Sequence, residues 1–324
     1  MQSVKHAPSI LVLLVQWNRP IETLQCIKSL GKTGYPFLSI YVVDNASGSD
    51  AFQILEAEAN GISLIRSPIN AGYAGGFNLG LQAALTEEHP DYVWLLNNDT
   101  TVAPDCPQQL IQAAIELGPA ILSPKILDAN NAGHIWYAGG YLDSWLKSHH
   151  VGRGDADLGQ YDVLRRVPWG SGCSLFFPTS VAARIGPMSE DYFLYLEDVD
   201  WCLRASTKGI LTYYIPAALV NHGVSKSVEL LDSRAVVYYG WRNYYILATR
   251  HGSLVQKAHA WCDLFSRLIK TAVKLFIFPS ARHDHMYAAR TQALLDFLRR
   301  RGGPAPFTES VPVTNSETLL NVRL

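Results

Sequence analysis

From Val93 to Val102 the chain reads VWLLNNDTTV, an apolar run that breaks into two asparagines, an aspartate and two threonines. A carboxylate flanked by amides can close an Asx turn, or it can offer oxygen ligands to a cation. Mg²⁺ or Mn²⁺ is commonly held by one or two carboxylates plus phosphate oxygens of a substrate, so Asp99, the only acid here, serves as a ligand if the substrate brings a diphosphate. A second acidic cluster, YLEDVDWCLRA, puts Glu197, Asp198 and Asp200 within four residues, behind the aromatic run that starts at Tyr192. Acids in a first helical turn complement the helix dipole, and Asp200 with Arg204 has the spacing of an i,i+4 pair. That ordinary role suits Asp200, whereas Glu197 and Asp198, set against aromatics, read as carboxylates of raised pKa able to take a proton.

Three further stretches carry candidate chemistry. In NAGYAGGFNLG, from Asn70 to Gly80, the small residues let backbone N–H groups approach an anionic or sugar-bearing ligand, or let a helix pack closely on a strand. Trp169-Gly170-Ser171-Gly172 is either a turn beneath the core or, with the indole exposed beside glycines, a stacking platform for a sugar. His222, after YIPAALVN, is by residue type as readily a satisfied strand-end histidine as a ligand.

The elements that position these residues follow from hydrophobic periodicity. Strands are predicted at Ile10–Gln16, Leu38–Asp44, Ile62–Arg66, Tyr92–Asn97 and Ala120–Ser123, with helices near Glu22–Leu30, Asp50–Ala59, Gly76–Leu85 and Pro104–Leu117. Such alternation implies βαβ units and a mainly parallel sheet, in which ligands bind outside the carboxyl ends of the strands. Gln16-Trp17-Asn18, Asp44-Asn45-Ala46-Ser47 and Asn97-Asn98-Asp99 then end three strands at one sheet edge and share one crevice. After residue 125 the alternation breaks down; from about Val228 the pattern is helical with aromatic bands, and the tail from Pro304 reads as poorly ordered.

Composition narrows the classes. With 324 residues, 48% apolar and 17% charged, the chain is globular rather than disordered or fibrous. Its five cysteines lie far apart with no Cys-x-x-Cys, which points to neither zinc nor a disulfide framework and fits a reducing cytosol. Ile10–Val15 is too short for a signal-peptide core, and no stretch approaches the roughly 18 apolar residues of a spanning helix. Neither Gly-x-Gly-x-x-Gly nor a P-loop is present, and no nucleic-acid partner is expected. The net charge of −1 conceals nine basic residues against three acids between His251 and Gly303, a local +6 that leaves −7 elsewhere. Within that segment Trp261, Leu264, Phe265, Leu268, Ala272 and Phe276 recur at helical spacing, with Arg267, Lys270 and Lys274 on another side. Such a helix packs on protein or rests on an anionic membrane.

Taken in order, Asp44-Asn45-Ala46-Ser47, the Asn-Ala-Gly-x-x-Gly-Gly-x-Asn segment, Leu95 to Asp99, Gly170-Ser171-Gly172, Tyr192 to Asp200 with Arg204, and His222 followed by Ser227 resemble glycosyltransferase family 2. The likeness covers about residues 8 to 250 and is strongest to the rhamnosyltransferase-like branch and the galactofuranosyltransferases. It implies an α/β, nucleotide-diphospho-sugar transferase (GT-A) fold with a C-terminal helical extension. It also implies inverting, metal-dependent transfer of a sugar such as rhamnose, from a dTDP- or UDP-linked donor to a hydroxyl of a glycan or lipid-linked glycan, in cell-wall or O-antigen polysaccharide synthesis.

By the same resemblance Asp198 is the base, with Glu197 as the first alternative, and Asp99 with His222 holds Mg²⁺ or Mn²⁺. Donor contacts fall to Gln16, Asn18, Asp44 (the nucleotide base), Asn70, Gly72, Gly75, Gly76, Asn78, Asn97 and Asn98. Sugar or acceptor contacts fall to Trp169, Gly170, Ser171, Gly172 and Glu190. Two departures stand out: the usual Asp-x-Asp is Asn97-Asn98-Asp99, with one carboxylate, and the usual Phe-Asp-Glu is Met188-Ser189-Glu190. The expected organisation is a catalytic domain over 1–227 (a sugar-nucleotide half, 1–125, and an acceptor half, 126–227), a helical region over 228–303 and a tail over 304–324. A cytoplasmic protein, peripheral on the inner face of the cell membrane through 261–278, is expected. Two rivals differ at single features. A sugar-nucleotide pyrophosphorylase needs a Gly-rich loop with Arg and Lys directly after the first strand, where this chain has Gln16 to Pro20, and a non-catalytic binder needs neither Asp198 nor His222.

Overall fold

Ile10–Gln16 (β1) is buried along its whole length, as a strand must be when helices cover both faces of its sheet. In the computed structural model, which describes residues 7–58, 60–223, 233–278 and 284–307, it pairs in parallel with Leu38–Asp44 (β2) on one side and Tyr92–Asn97 (β4) on the other. Ser63–Arg66 (β3) extends the parallel set beyond β2. The intervening helices are α1 (Pro20–Gly31), α2 (Ser49–Glu58), α3 (Gly72–Glu87) and, after the short Thr100–Val102 (β5), α4 (Cys106–Leu117). The first four strands and helices therefore stand where periodicity predicts them, except that α3 starts at Gly72 and absorbs the glycine segment.

Beyond residue 120 the sheet becomes mixed. Ile121–Asp128 (β6) is twice as long as predicted, because it pairs in parallel with Thr212–His222 (β12) along its whole length, across a register shift between Ile215 and Leu219. Three-residue strands follow at Ile135–Tyr137 (β7), Gly140–Leu142 (β8), Ser148–His150 (β9) and Arg165–Val167 (β10), with β8 and β9 forming a separate hairpin. Ser174–Pro178 (β11) then runs antiparallel between β4 and β6. The main sheet order is β10-β12-β6-β11-β4-β1-β2-β3, with β5 on β12 and β7 on β6.

Helix α5 (Thr179–Ile185) leads to α6 (Glu197–Thr207), whose Trp201 meets Phe77 of α3 edge-on and Phe177 of β11 at a tilt in the core. The C-terminal helices α7 (Ser233–His251), α8 (Leu254–Ile277) and α9 (His285–Leu298) pack together, and α7 also lies against the segment that leads into α6. Ser253 begins α8 with a capping box closed by Gln256, and Asp284 caps α9. Asp200 pairs with Arg204 at 2.8 Å, as its spacing predicts, and also binds Arg250 and His251 of α7. Burial opposes its ionisation, but His251, Arg250 and Arg204 overcome this and hold it at about 2.

The expected domain boundary at 227, Ser227 itself, and residues 308–324 of the tail lie outside the described residues. Among those described, no helix is long and apolar enough to cross a membrane, and all five cysteines are free thiols.

Candidate functional site

At the carboxyl edge of β1 and β2 the polar clusters meet. Gln16 and Asp44 are opposite in register, and the Gln16 amide donates to the Asp44 carboxylate and to Ser47 Oγ at 2.9 Å. Asp44 also accepts the Ser47 N–H at 3.2 Å, and Arg66 stands 3.8 Å away. Asn18, in a left-handed conformation, accepts the Gly48 N–H at 2.8 Å. Asp44 is thus fully buried, with its oxygens held within the protein.

The glycine segment is bound to this edge from below. Asn45 takes the Ala71 N–H at 3.1 Å and donates to Asn70 and to the Gly72 carbonyl, while Asn70 accepts the Gly72 N–H at 2.9 Å. The Tyr73 N–H goes to the Phe193 carbonyl at 2.7 Å. The first N–H groups of α3 are therefore engaged by protein. A Cβ on Gly76 would come within 2.5 Å of Val15, one on Gly75 within 2.5 Å of Ala71, and one on Gly72 within 2.3 Å of the Phe193 carbonyl. Of the two readings of these glycines, close packing is the one with visible contacts. Asn78 pins α3 to the Met188 backbone, at 2.8 and 3.0 Å, and to the exposed Glu190 at 3.0 Å.

Asn97-Asn98-Asp99 divides its labour. Asn98 turns away and donates to Thr23 of α1 at 2.9 Å, a structural pin. Asp99 and Asn97 meet His222: the β5–β12 register sets His222 opposite Thr100, so its Nε2 lies 3.1 Å from Asp99 Oδ1 and 3.4 Å from the Asn97 amide nitrogen. Burial opposes a proton on His222, but Cys173 and Asp99 outweigh it and push the ring up to about 10. Burial also raises the Cys173 thiol, which keeps it neutral, so the Asp99 carboxylate is the charge that holds this proton. Among the described residues no three His, Cys, Asp or Glu side chains gather as a metal cluster. Asp99 and a neutral His222, with Asn97 beside them, fit a cation that takes its remaining ligands from water and a diphosphate.

Helix α6 opens on Leu196, one of three left-handed non-glycine residues in four, with φ of 60° at Phe193, 68° at Tyr195 and 71° at Leu196. Helix α7 holds this segment. The buried Arg242 donates to the Asp191 and Tyr192 carbonyls, and Asn243 donates to those of Tyr192, Leu194 and Tyr195. Asp198 then accepts the Gly172 N–H at 2.7 Å and the Val199 N–H at 2.7 Å, and a Cβ on Gly172 would press on it at 3.2 Å. Burial raises Asp198, and these N–H groups oppose the rise. Burial and the neighbouring Asp198 charge push Glu197 up to about 8, and its Oε2 is buried without a hydrogen-bond partner.

A cleft of about 540 Å³ joins Asn97, Trp169, Ser171, Gly172, Glu197, Asp198 and His222. Glu190, Asn78 and the Gln16–Asp44 cluster do not line it. Of the two readings of Trp169 the structure favours the buried one: it is 2% exposed and packs over Gly140, where a Cβ would meet its ring at 2.4 Å, with one edge lining the cleft. The side chains of the opposite wall, Trp136, Tyr141, His149, His150 and Arg153, escape sequence reasoning. Burial depresses His150 to about 4, so it is neutral, and it lies 4.4 Å from the Trp136 ring. The signal available was local: an aromatic and histidine-rich stretch, WYAGGYLDSWLKSHH, with no other reason to be so rich.

Models of two families match the chain: Glycosyl transferase family 2 over residues 12–156 and Glycosyl transferase family group 2 over residues 92–300. The Low-salt glycan biosynthesis hexosyltransferase Agl10 of Haloferax volcanii is 27% identical over 63% of this chain and 65% of its own. The N-acetylglucosaminyl-diphospho-decaprenol L-rhamnosyltransferase of Mycobacterium tuberculosis is 26% identical, over 69% of this chain and 79% of its own. The dTDP-rhamnosyl transferase RfbF of Shigella flexneri is 22% identical, over 73% and 77%. Among solved structures, the mannosyltransferase PcManGT from Pyrobaculum calidifontis, in complex with GDP-Man and Mn²⁺, superposes with a TM-score of 0.56 at 14% identity, covering 92% of this chain and 89% of that one. GalNAc-T7 with UDP, GalNAc and Mn²⁺ superposes with a TM-score of 0.55 at 15% identity, covering 75% and 51%. This chain thus spans just under two thirds of the haloarchaeal relative and about half of GalNAc-T7. With family models covering both the β1–β2 edge and the α6 cleft, the chain belongs to glycosyltransferase family 2 and has the GT-A fold.

Proposed function

We propose that the protein is an inverting, divalent-metal-dependent transferase that moves a hexosyl group, rhamnose first among the candidates, from a dTDP- or UDP-linked donor to a hydroxyl of a glycan or lipid-linked glycan in cell-surface polysaccharide synthesis. The observation that carries this reading is the placement of Asp198 and His222 on one cleft, with Asp99 behind His222. The rhamnosyltransferase relatives support the donor class, and the decaprenol-linked substrate in one relative's name supports a lipid-linked acceptor. The Mn²⁺ in both structural neighbours supports a divalent ion, Mg²⁺ or Mn²⁺. Peripheral contact with the inner face of the cell membrane through 261–278 belongs to the same reading.

The surroundings of Glu197 and Asp198 support different roles for the two. Two like charges side by side do not ionise together. Asp198 has two N–H groups that favour its anion, whereas Glu197 Oε2 has none, so the proton resides on Glu197 and Asp198 is the base. In the transfer step the acceptor oxygen bonds to the anomeric carbon as its proton passes to Asp198; the anomeric carbon–oxygen bond breaks and its electrons leave with the nucleoside diphosphate. A single displacement inverts the centre, and positioned proton removal contributes about 10²–10⁴-fold. Asp99 and His222 would hold the cation, which supplies Lewis-acid neutralisation of diphosphate charge. Gly172 fixes the base by its N–H, and the Trp136 and Tyr141 rings offer apolar faces to a sugar ring.

The test is a mass-spectrometric screen of dTDP-, UDP- and GDP-sugars with Mn²⁺ and hydroxyl acceptors, repeated with Asp198→Asn. Consumption of one donor, with a kcat about 10²-fold lower in the variant at unchanged donor affinity, is the expected result. Donor binding without consumption would favour the binder, and equal turnover in the variant would remove Asp198 as base.

A further inference from the structure

Helix α8 turns a row of apolar side chains outward, while Asp263 and Arg267 are engaged on its protein side. Ala260 and Leu264 are buried against α7 and α9. Arg267 also faces the protein, ion-paired to Asp263 at 2.6 Å and stacked on the Trp241 ring, and Lys274 lies over the Tyr287 ring. On the opposite side Trp261, Phe265, Ile269, Val273, Phe276 and Ile277 follow one another at three- and four-residue spacing and are between 40% and 87% exposed. Only Ser266 interrupts that face, and Lys257 and Lys270 stand at its two borders. From the sequence pattern the helix either packs on protein or rests on an anionic membrane, where its basic residues would meet the lipid. In the structure Arg267 and Lys274 are committed to rings and a carboxylate, and the free face is apolar.

We propose that the outward face of α8 is a membrane-insertion surface, laying the helix flat in the headgroup region of an anionic bilayer with its apolar side chains among the acyl chains. A long amphipathic helix of low net hydrophobicity with aromatic residues on one face and lysines at its borders is what such an interface accepts. A second copy of the chain fits less well, because a two-fold contact through this face would bring the Lys257 and Lys270 borders against their own equivalents. Anionic headgroups complement those borders.

The same helix holds one wall of the cleft. Trp145, at the tip of the β8–β9 hairpin, stacks on His259 with ring centroids 3.7 Å apart, and Gln256 donates to the Ser144 carbonyl at 2.9 Å. Tyr141, His149 and His150 of that hairpin line the cleft. A bilayer under α8 is therefore tied through one hairpin to the place where the acceptor enters. This link to a lipid-borne acceptor rests on the transferase reading; insertion itself does not.

The experiment is co-sedimentation of the full-length protein with phosphatidylcholine vesicles and with vesicles containing phosphatidylglycerol, across a salt series, comparing wild type with Phe265→Ser/Ile269→Ser/Val273→Ser and with Lys257→Gln/Lys270→Gln. The serine variant is expected to lose more than about tenfold in partitioning at every salt concentration, with an unchanged circular dichroism spectrum. The glutamine variant loses a few-fold, and only at low salt. Full binding by the serine variant overturns the proposal, as does a wild type that stays in the supernatant with both vesicles. So does a wild-type dimer, seen by sedimentation velocity, that the serine substitutions dissolve without any vesicle binding. Vesicle binding by a protein that consumes no sugar nucleotide would sink the transferase reading and leave this one standing.

Discussion

Replacing Asn243, which does not itself line the cleft, by alanine should unseat the base. Its amide nitrogen serves the carbonyls of Tyr192 at 3.0 Å, Leu194 at 2.7 Å and Tyr195 at 2.8 Å, three acceptors sharing two protons. Phe193, Tyr195 and Leu196 hold left-handed conformations, each costing about 1–2 kcal/mol relative to the right-handed region, so roughly 3–6 kcal/mol of backbone strain is restrained there. Losing two hydrogen bonds to buried carbonyls costs about 1–3 kcal/mol apiece, of which relaxation of the segment recovers part, leaving a net loss of about 3 kcal/mol. At roughly 2 °C per kcal/mol for a chain of this size, Tm falls by about 6 °C. Because Leu196 immediately precedes Glu197 and Asp198, the relaxation also moves the base, and a misplacement near 1 Å costs up to about 10²-fold in rate. Differential scanning fluorimetry measures the first effect. Steady-state kinetics well below the variant's Tm, where it is fully folded, measure the second: kcat down at least about tenfold with the donor KM nearly unchanged. A variant within 1 °C and twofold of wild type would refute the idea that α7 positions the base; a lowered Tm with normal kcat would reduce Asn243 to a purely structural role.

Asp99→Ala should abolish the Mn²⁺-dependent increment in nucleoside diphosphate affinity measured by calorimetry, while the fold survives because His222 can shed its proton when its partner is gone; an unchanged increment would remove Asp99 from the metal. Gly76→Ala should cost about 1–3 kcal/mol in denaturant unfolding, since its methyl would sit 2.5 Å from Val15, and should leave diphosphate affinity intact in the folded fraction; normal stability with lost affinity would restore the ligand-cradle role to this glycine. Glu197, raised from its ordinary value to about 8, favours folding in its neutral form, so its contribution is complete below the unfolded pKa and is lost as pH climbs through about 8. Glu197→Gln should therefore gain stability on wild type between pH 5 and pH 8, and parallel stability–pH curves would show that Glu197 is not raised.

The alternation of strands and helices over the first 120 residues was legible because it is local: β1, β2 and β4 are apolar runs of strand length, each closed by polar residues, and α1 and α4 have helical periods and Pro near their starts. The parallel connection rule then brings Gln16, Asp44 and Asn97 to one edge without reference to coordinates. The ordered motifs also marked Asp198 and His222, which the structure does set on one cleft. Other features depended on partners far away in sequence. Nothing near Trp169 shows that Gly140 will bury it, and nothing in the glycine segment shows that Val15 and Phe193 fill the space beside it. Three-residue strands such as β7, β8 and β9 are too short for a period, so the histidine and tryptophan wall of the cleft showed in the sequence only as local composition. Arg242 and Asn243 look like ordinary polar positions of a helix until their acceptors, about 50 residues back, are in place. The spacing in α8 predicted two faces, but which one meets the protein is decided by α7 and α9, since amphipathicity is a property of one helix and burial a property of its neighbours.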